Sequence, residues 1–147
     1  MTAFFDAEQV GQALPWPALI DAVEAIFTVP GAMAPERAVH EIATPEGGTG
    51  SLLLKPGWIV GEVIAVKVVT FFGDNGDRGL PTVNAGVLLF DAVDGTFQGA
   101  CDGNVLTARR TAAASAVAAR HLARPDSRRL LVVGTGALAP LMAEAHS

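Results

Sequence analysis

Two runs, of eleven and ten residues, limit what this chain can fold into. EVIAVKVVTFF (62–72) and TVNAGVLLFD (82–91) are rich in Val, Ile, Thr and Phe, and between them lies DNGDRGLP (74–81), dense in turn residues. Runs of this length and composition, joined so closely, predict paired antiparallel strands. AVDG (92–95) then turns the chain tightly into TFQGACDG (96–103), a third strand. Upstream, ERAVHEI (36–42) alternates with period two, and SLLLK (51–55) is a short apolar run.

The period is helical on either side of this block. Asp6 can cap DAEQVGQAL, which Pro15 ends, and Pro17 suits the first turn of a second helix. There Leu19, Ile20, Val23, Ile26 and Phe27 form one apolar face, and Pro30, Gly31 and Pro35 close the region. Residues 107–123, TARRTAAASAVAARHLA, hold eight alanines and neither glycine nor proline. They predict a helix beginning near Asn104 or Thr107. LLVV (130–133) is the wholly apolar kind of strand found inside parallel sheets. It runs into Gly134-x-Gly136-x-x-Ala139 and a second helical pattern. The expected fold class is α+β: two helices and an antiparallel, hairpin-rich sheet, then the first βα unit of a truncated Rossmann-type domain. The expected divisions are residues 1–106, a connecting helix at 107–123, and 124–147.

Composition removes several function classes. A net charge of −5 with no basic run argues against nucleic acid. The longest apolar stretch, from Trp58 to Phe72, is interrupted by Gly61, Glu62 and Lys67, so no membrane partner is expected. A lone Cys101 excludes an internal disulfide framework, and it is read as a packing residue. His40, His121 and His146 lack ligand spacing, so no metal is expected. The N-terminus carries no signal-peptide pattern, and a cytoplasmic location is the default.

A few positions can carry chemistry. Lys67 shares its strand face with Val63, Ala65, Val69 and Phe71. Such a lysine is either a cleft-facing cation with an anionic partner, a structural ion pair, or a gatekeeper on an edge strand. Arg109 and Arg110 open the alanine-rich helix, where cations oppose the helix dipole. Neighbours on a helix are about 100° apart, so at most one faces inward, where it would suit a carboxylate or phosphate. Arg37 has no local argument beyond its place at a strand start. In the glycine turn, Gly134 permits a tight strand-to-helix reversal, Gly136 admits a pyrophosphate, and Ala139 stands where helix packs on strand.

In combination, AVKVVTFF–DN, GLPTVNAGVLLFDAVDG, LTARRTAAASAVAARHLAR and LLVVGTGALA resemble the ornithine cyclodeaminase and mu-crystallin family in order and spacing, from about Pro35 onward. The resemblance implies an enzyme using NAD or NADP that moves a hydride at the α-carbon of a small amino acid or cyclic imino acid. Cyclodeaminases, ketimine and pyrroline-carboxylate reductases and alanine dehydrogenases are all represented. It implies Arg37, Lys67 and Arg110 as the grip on the substrate carboxylate, with Lys67 nearest the reacting centre and counted as catalytic. Thr82 and Thr111, with Gly134, Gly136, Ala137, Leu138 and Ala139, are implied as cofactor contacts. A homodimer is implied for the full-length protein, and a catalytic acid well beyond the glycine turn. One departure is Gly73, where the family often has proline. The 147 residues are expected to be an incomplete enzyme, inactive alone; the alternative is a non-catalytic ligand-binding or oligomerisation module with a vestigial nucleotide turn.

Overall fold

A computed structural model describes residues 3–45 and 47–147. The chain divides into a sheet unit, running to Ala7 and from Pro30 to Asn104, and a helical unit of Glu8–Val29 and Val105–Ser147.

The sheet unit contains β1 (Ala3–Phe5), β2 (Ala32–Met33), β3 (Ala38–Ala43), β4 (Thr49–Ile59), β5 (Val63–Phe72), β6 (Val83–Asp91) and β7 (Phe97–Asp102). They form one seven-stranded sheet in the order β1-β7-β6-β5-β4-β2, with β3 also paired to β4. Consecutive hairpins build its centre. Gly61, with φ of 75°, turns β4 into β5 through three residues, so Ile59 faces Val63 and the register follows from there. A 3-10 turn, Gly73–Arg78, occupies the turn-rich segment before β6. The hairpin between β6 and β7 is held by Asp91, whose carboxylate accepts from the Val93 backbone N–H at 2.7 Å and from Gln98 Nε2 at 3.2 Å. Two strands escape the sequence reading: β2, two residues long, and β1, which pairs parallel with β7.

Gly103 begins the alanine-rich helix, four residues before Thr107. A Cβ there would lie 2.6 Å from the Ala85 carbonyl carbon and 2.7 Å from the Gly86 nitrogen. The closeness of β6 backbone therefore requires glycine at the strand-to-helix corner.

In the helical unit, α1 (Ala7–Ala13) and α2 (Trp16–Ala25) follow the expected pattern, with Pro15 at the N-cap of α2. Leu19 and Ile20 are buried, whereas Ile26 and Phe27 lie beyond the helix and are exposed. The long helix α3 (Gly103–Leu122) supplies Ala112, Ala113, Ala116 and Val117 to the core, which Ala145 of α4 (Ala139–Ala145) joins. Alanine at positions i, i+1 and i+4 lets neighbours approach closely at almost no cost in side-chain entropy. Arg120 donates to Asp21 at 2.7 Å and Glu24 at 2.8 Å, and His121 meets Glu24 at 2.6 Å.

The expected strand at 130–133 does not form. Residues 127–135 are neither helix nor strand, and Leu131 and Val133 are 84% and 89% exposed. A parallel-type strand takes its backbone hydrogen bonds from neighbours on each side, and no described strand pairs with this run.

Candidate functional site

Lys67 sits at the middle of β5, half-buried. On one side it faces Val87 of β6, which is 5% exposed, and Val87 in turn faces Cys101 of β7. On the other side its partner is Lys55 of β4. Directly paired residues of antiparallel strands present their side chains on the same face, with Cβ atoms about 5 Å apart. Two lysines are thus neighbours on a surface that β5 otherwise fills with Val63, Ala65, Val69 and Phe71. Arg37 immediately precedes β3, whose first residue, Ala38, faces Leu54. Arg37 itself lies outside the ladder and is exposed. Of the expected cations, the sheet register therefore places Lys67, paired with Lys55, while Arg37 lies at the start of the neighbouring strand.

Lys55 was not among the residues singled out from sequence, where it only ended an apolar run. Its signal was present nonetheless: a hairpin centred on Gly61 pairs positions whose numbers sum to 122, and 55 pairs with 67. Thr82 stands apart from this row. It directly precedes β6, five positions from Val87, or about 17 Å along an extended strand. Its carbonyl accepts the Phe72 N–H at 2.9 Å. Cys101 is half-buried in β7; burial, and then the charge of Asp102, raise its thiol above the ordinary range.

The two helical arginines divide their work. Arg109 turns inward: Nε and Nη2 donate to the Leu14 carbonyl at 3.1 and 2.6 Å, and the guanidinium carbon lies 4.2 Å from the centre of the Trp16 ring. Arg110, one position on, is exposed. Thr111 donates its hydroxyl to the Thr107 carbonyl at 2.7 Å, so toward any ligand its oxygen can only accept.

At the glycine turn, Gly134 has φ of 111°, a backbone setting that favours glycine. Ideal Cβ atoms on Gly134 and Gly136 would meet nothing within 4 Å. The Ala139 N–H returns to the Gly136 carbonyl at 3.0 Å, and Ala137 and Leu138 lead into α4 with Pro140 in its first turn. The turn is thus uncrowded and leads into the seven-residue α4, without the strand that was expected before it. Among the described residues, no group of three or more His, Cys, Asp or Glu is placed to hold a metal ion. No helix of the described chain is long and apolar enough to cross a membrane.

The fold is shared with nucleotide-bound dehydrogenases of known structure. An archaeal alanine dehydrogenase dimer with bound NAD is 28% identical at a TM-score of 0.85, matching 99% of this chain and 44% of that one. The Δ1-pyrroline-2-carboxylate reductase of Thermococcus litoralis, in complex with NADH and L-proline, is 32% identical at a TM-score of 0.83, matching 97% of this chain and 44% of that one. The family model for ornithine cyclodeaminase/mu-crystallin matches residues 1–147, and the chain belongs to that family. In sequence, the Δ1-pyrroline-2-carboxylate reductase of Paracoccus denitrificans is 39% identical over 127 residues, which is 86% of this chain and 39% of the relative. The chain spans less than half the length of these relatives.

Proposed function

We propose that this chain carries the substrate-carboxylate grip and the opening of the nucleotide site of an NAD(P)-dependent oxidoreductase acting on a small amino acid or cyclic imino acid. The observation that carries the reading is Lys67, half-buried at the middle of a strand that otherwise presents Val63, Ala65, Val69 and Phe71 on that face, in a chain of this family. A carboxylate brought onto such a face loses water, and charge-assisted hydrogen bonds from fixed cations replace it. Lys67, half-buried, is the residue to hold it most firmly; Arg37 and Arg110 complete the grip. Held by its carboxylate, the substrate keeps its α-carbon at a fixed place, and catalysis by these residues is chiefly positioning. The backbone of Gly134, Gly136, Ala137, Leu138 and Ala139 would hold the pyrophosphate of a dinucleotide, with Thr82 and Thr111 as further contacts. When bound, the dinucleotide supplies or accepts the hydride.

Pyrroline-carboxylate reductases and a lysine cyclodeaminase are both among the relatives, so the reading spans reduction of a cyclic imine and cyclodeamination. The same reading takes the whole protein as a cytoplasmic homodimer, with residues 1–106 as the substrate and dimerisation part and 124–147 opening the nucleotide domain. Its test uses the protein as its host expresses it, supplied with Δ1-pyrroline-2-carboxylate and NADH or NADPH. Oxidation followed at 340 nm is the expected result. Lys67→Ala should lower kcat/KM about 100-fold or more, the scale for removing one charged stabilising contact. No oxidation with pyrroline-carboxylate, with its six-membered homologue, or with pyruvate and ammonia would overturn the reading.

A further inference from the structure

Trp16, at the start of α2, is held on two sides by other helices. Its Nε1–H donates to Glu144 Oε2 of α4 at 3.1 Å, across 128 positions of sequence. The Arg109 guanidinium of α3 lies over the ring, 4.2 Å from its centre, and the same guanidinium donates twice to the Leu14 carbonyl. A core filler needs neither contact. Phenylalanine would fill much of the same space, but only an indole offers both a broad face for a cation and an N–H at its edge. One side chain therefore ties α3 to α4, and each helix adjoins part of the proposed site. Arg110 follows Arg109 on α3, and α4 opens on Ala139, the last residue of the glycine turn.

The seven residues of α4 are too few for stability alone, since isolated helices shorter than about twelve residues are marginal in water. Residues 127–135, which lead into it, form no strand, so among the described residues the footing of α4 is the helical core. Ala145 joins that core, Leu141 and Met142 pack against it, and Ser115 Oγ of α3 meets His146 Nε2 at 3.1 Å. Trp16 adds the link that ends beside Arg110. We propose that Trp16 is a positioning residue that couples dinucleotide binding at the glycine turn to carboxylate binding by Arg110. This rests on the oxidoreductase reading and deepens it. A dinucleotide that orders the turn and α4 also seats Glu144 on Trp16. The ring then fixes Arg109, and with it the turn of α3 that carries Arg110. A carboxylate arriving second meets a cation already ordered, and it binds more tightly for that reason.

The test measures L-proline affinity by calorimetry, with and without saturating NADH, on the protein as its host expresses it. L-Proline is the product of Δ1-pyrroline-2-carboxylate reduction. NADH should tighten its binding. Trp16→Phe keeps a ring and loses the N–H, and it should reduce that enhancement about fivefold or more, the lower end of coupling between sites. Glu144→Ala should do the same, whereas Glu144→Gln, whose amide oxygen still accepts, should retain the enhancement. Two controls separate coupling from stability. Glu24→Gln removes a different link between α2 and α3, and it should lower the Tm while holding the enhancement within about twofold of the parent's. In an Arg110→Ala background, Trp16→Phe should cause no further loss. An enhancement that survives Trp16→Phe, or that falls equally in Glu24→Gln, would overturn the proposal and leave the oxidoreductase reading standing. NADH binding that leaves proline affinity unchanged, or no proline binding to the NADH complex, has the same consequence. No binding of NADH overturns the reading itself and the coupling with it.

Discussion

Arg109 and Arg110 are one peptide bond apart and live in different surroundings. Arg109 is fixed by two hydrogen bonds to one carbonyl and by the Trp16 ring, so its planar fork serves the packing of α3 against the corner between α1 and α2. Lysine can supply neither the fork nor the stacked plane. Arg109→Lys should therefore cost about 1–3 kcal/mol, read as a lowered Tm or urea midpoint. Arg110→Ala should leave the midpoint nearly unchanged; an equal loss from both substitutions would contradict this division. Sequence allowed only the statement that at most one of the pair faces inward. Which one depends on where the Leu14 carbonyl ends, ninety-five residues away in the chain.

The helices of the helical unit are joined at their edges by charge as well as by alanine packing. Glu24 on α2 accepts from Arg120 and meets His121, both on α3, and these contacts, Arg120 first, hold its carboxyl below its ordinary value near 4.5. A carboxyl depressed in the folded state stabilises above its unfolded value, and that contribution is lost as pH falls through the folded one. Glu24→Gln should lower the Tm at pH 7, and the difference from the parent should vanish by about pH 2, where the acid is protonated in both states. A gap that persists there would point to packing instead. The α2 face, the strands β5 and β6 and the alanine helix were all legible from period and composition. The short β1 and β2 were not, because a strand of two or three residues is defined by its partner rather than by its own sequence. The start of α3 was hidden for a related reason: glycine reads as a helix breaker, yet Gly103 is set by its closeness to β6.

Over the whole chain, the α+β class follows from the order of periodicities, and the family follows from the matched length. The candidate site was half legible. Arg37 and Lys67 could be named from resemblance, but the pairing of Lys67 with Lys55 emerged only from strand register. The apolar run at 130–133 misled because its composition describes a buried strand while ladder bonds must come from other segments. Amides of Leu130, Leu131, Val132 and Val133 should accordingly exchange within the dead time of a hydrogen-exchange experiment, while those at the centre of β5 persist far longer. Strong protection at 130–133 would show that the run finds a partner in solution.

The parallel pairing of β1 with β7 also sets an order of assembly. Ala3 is matched to Gly99, a separation of 96 residues, whereas β4, β5 and β6 close onto their neighbours through short turns. At a translation rate of about 5–20 residues per second, β1 leaves the ribosome roughly 5–20 seconds before its partner has been made. The hairpins can zip meanwhile, since short loops close in microseconds. Phe4 and Phe5 must then wait without their edge, and they stay exposed even after it forms.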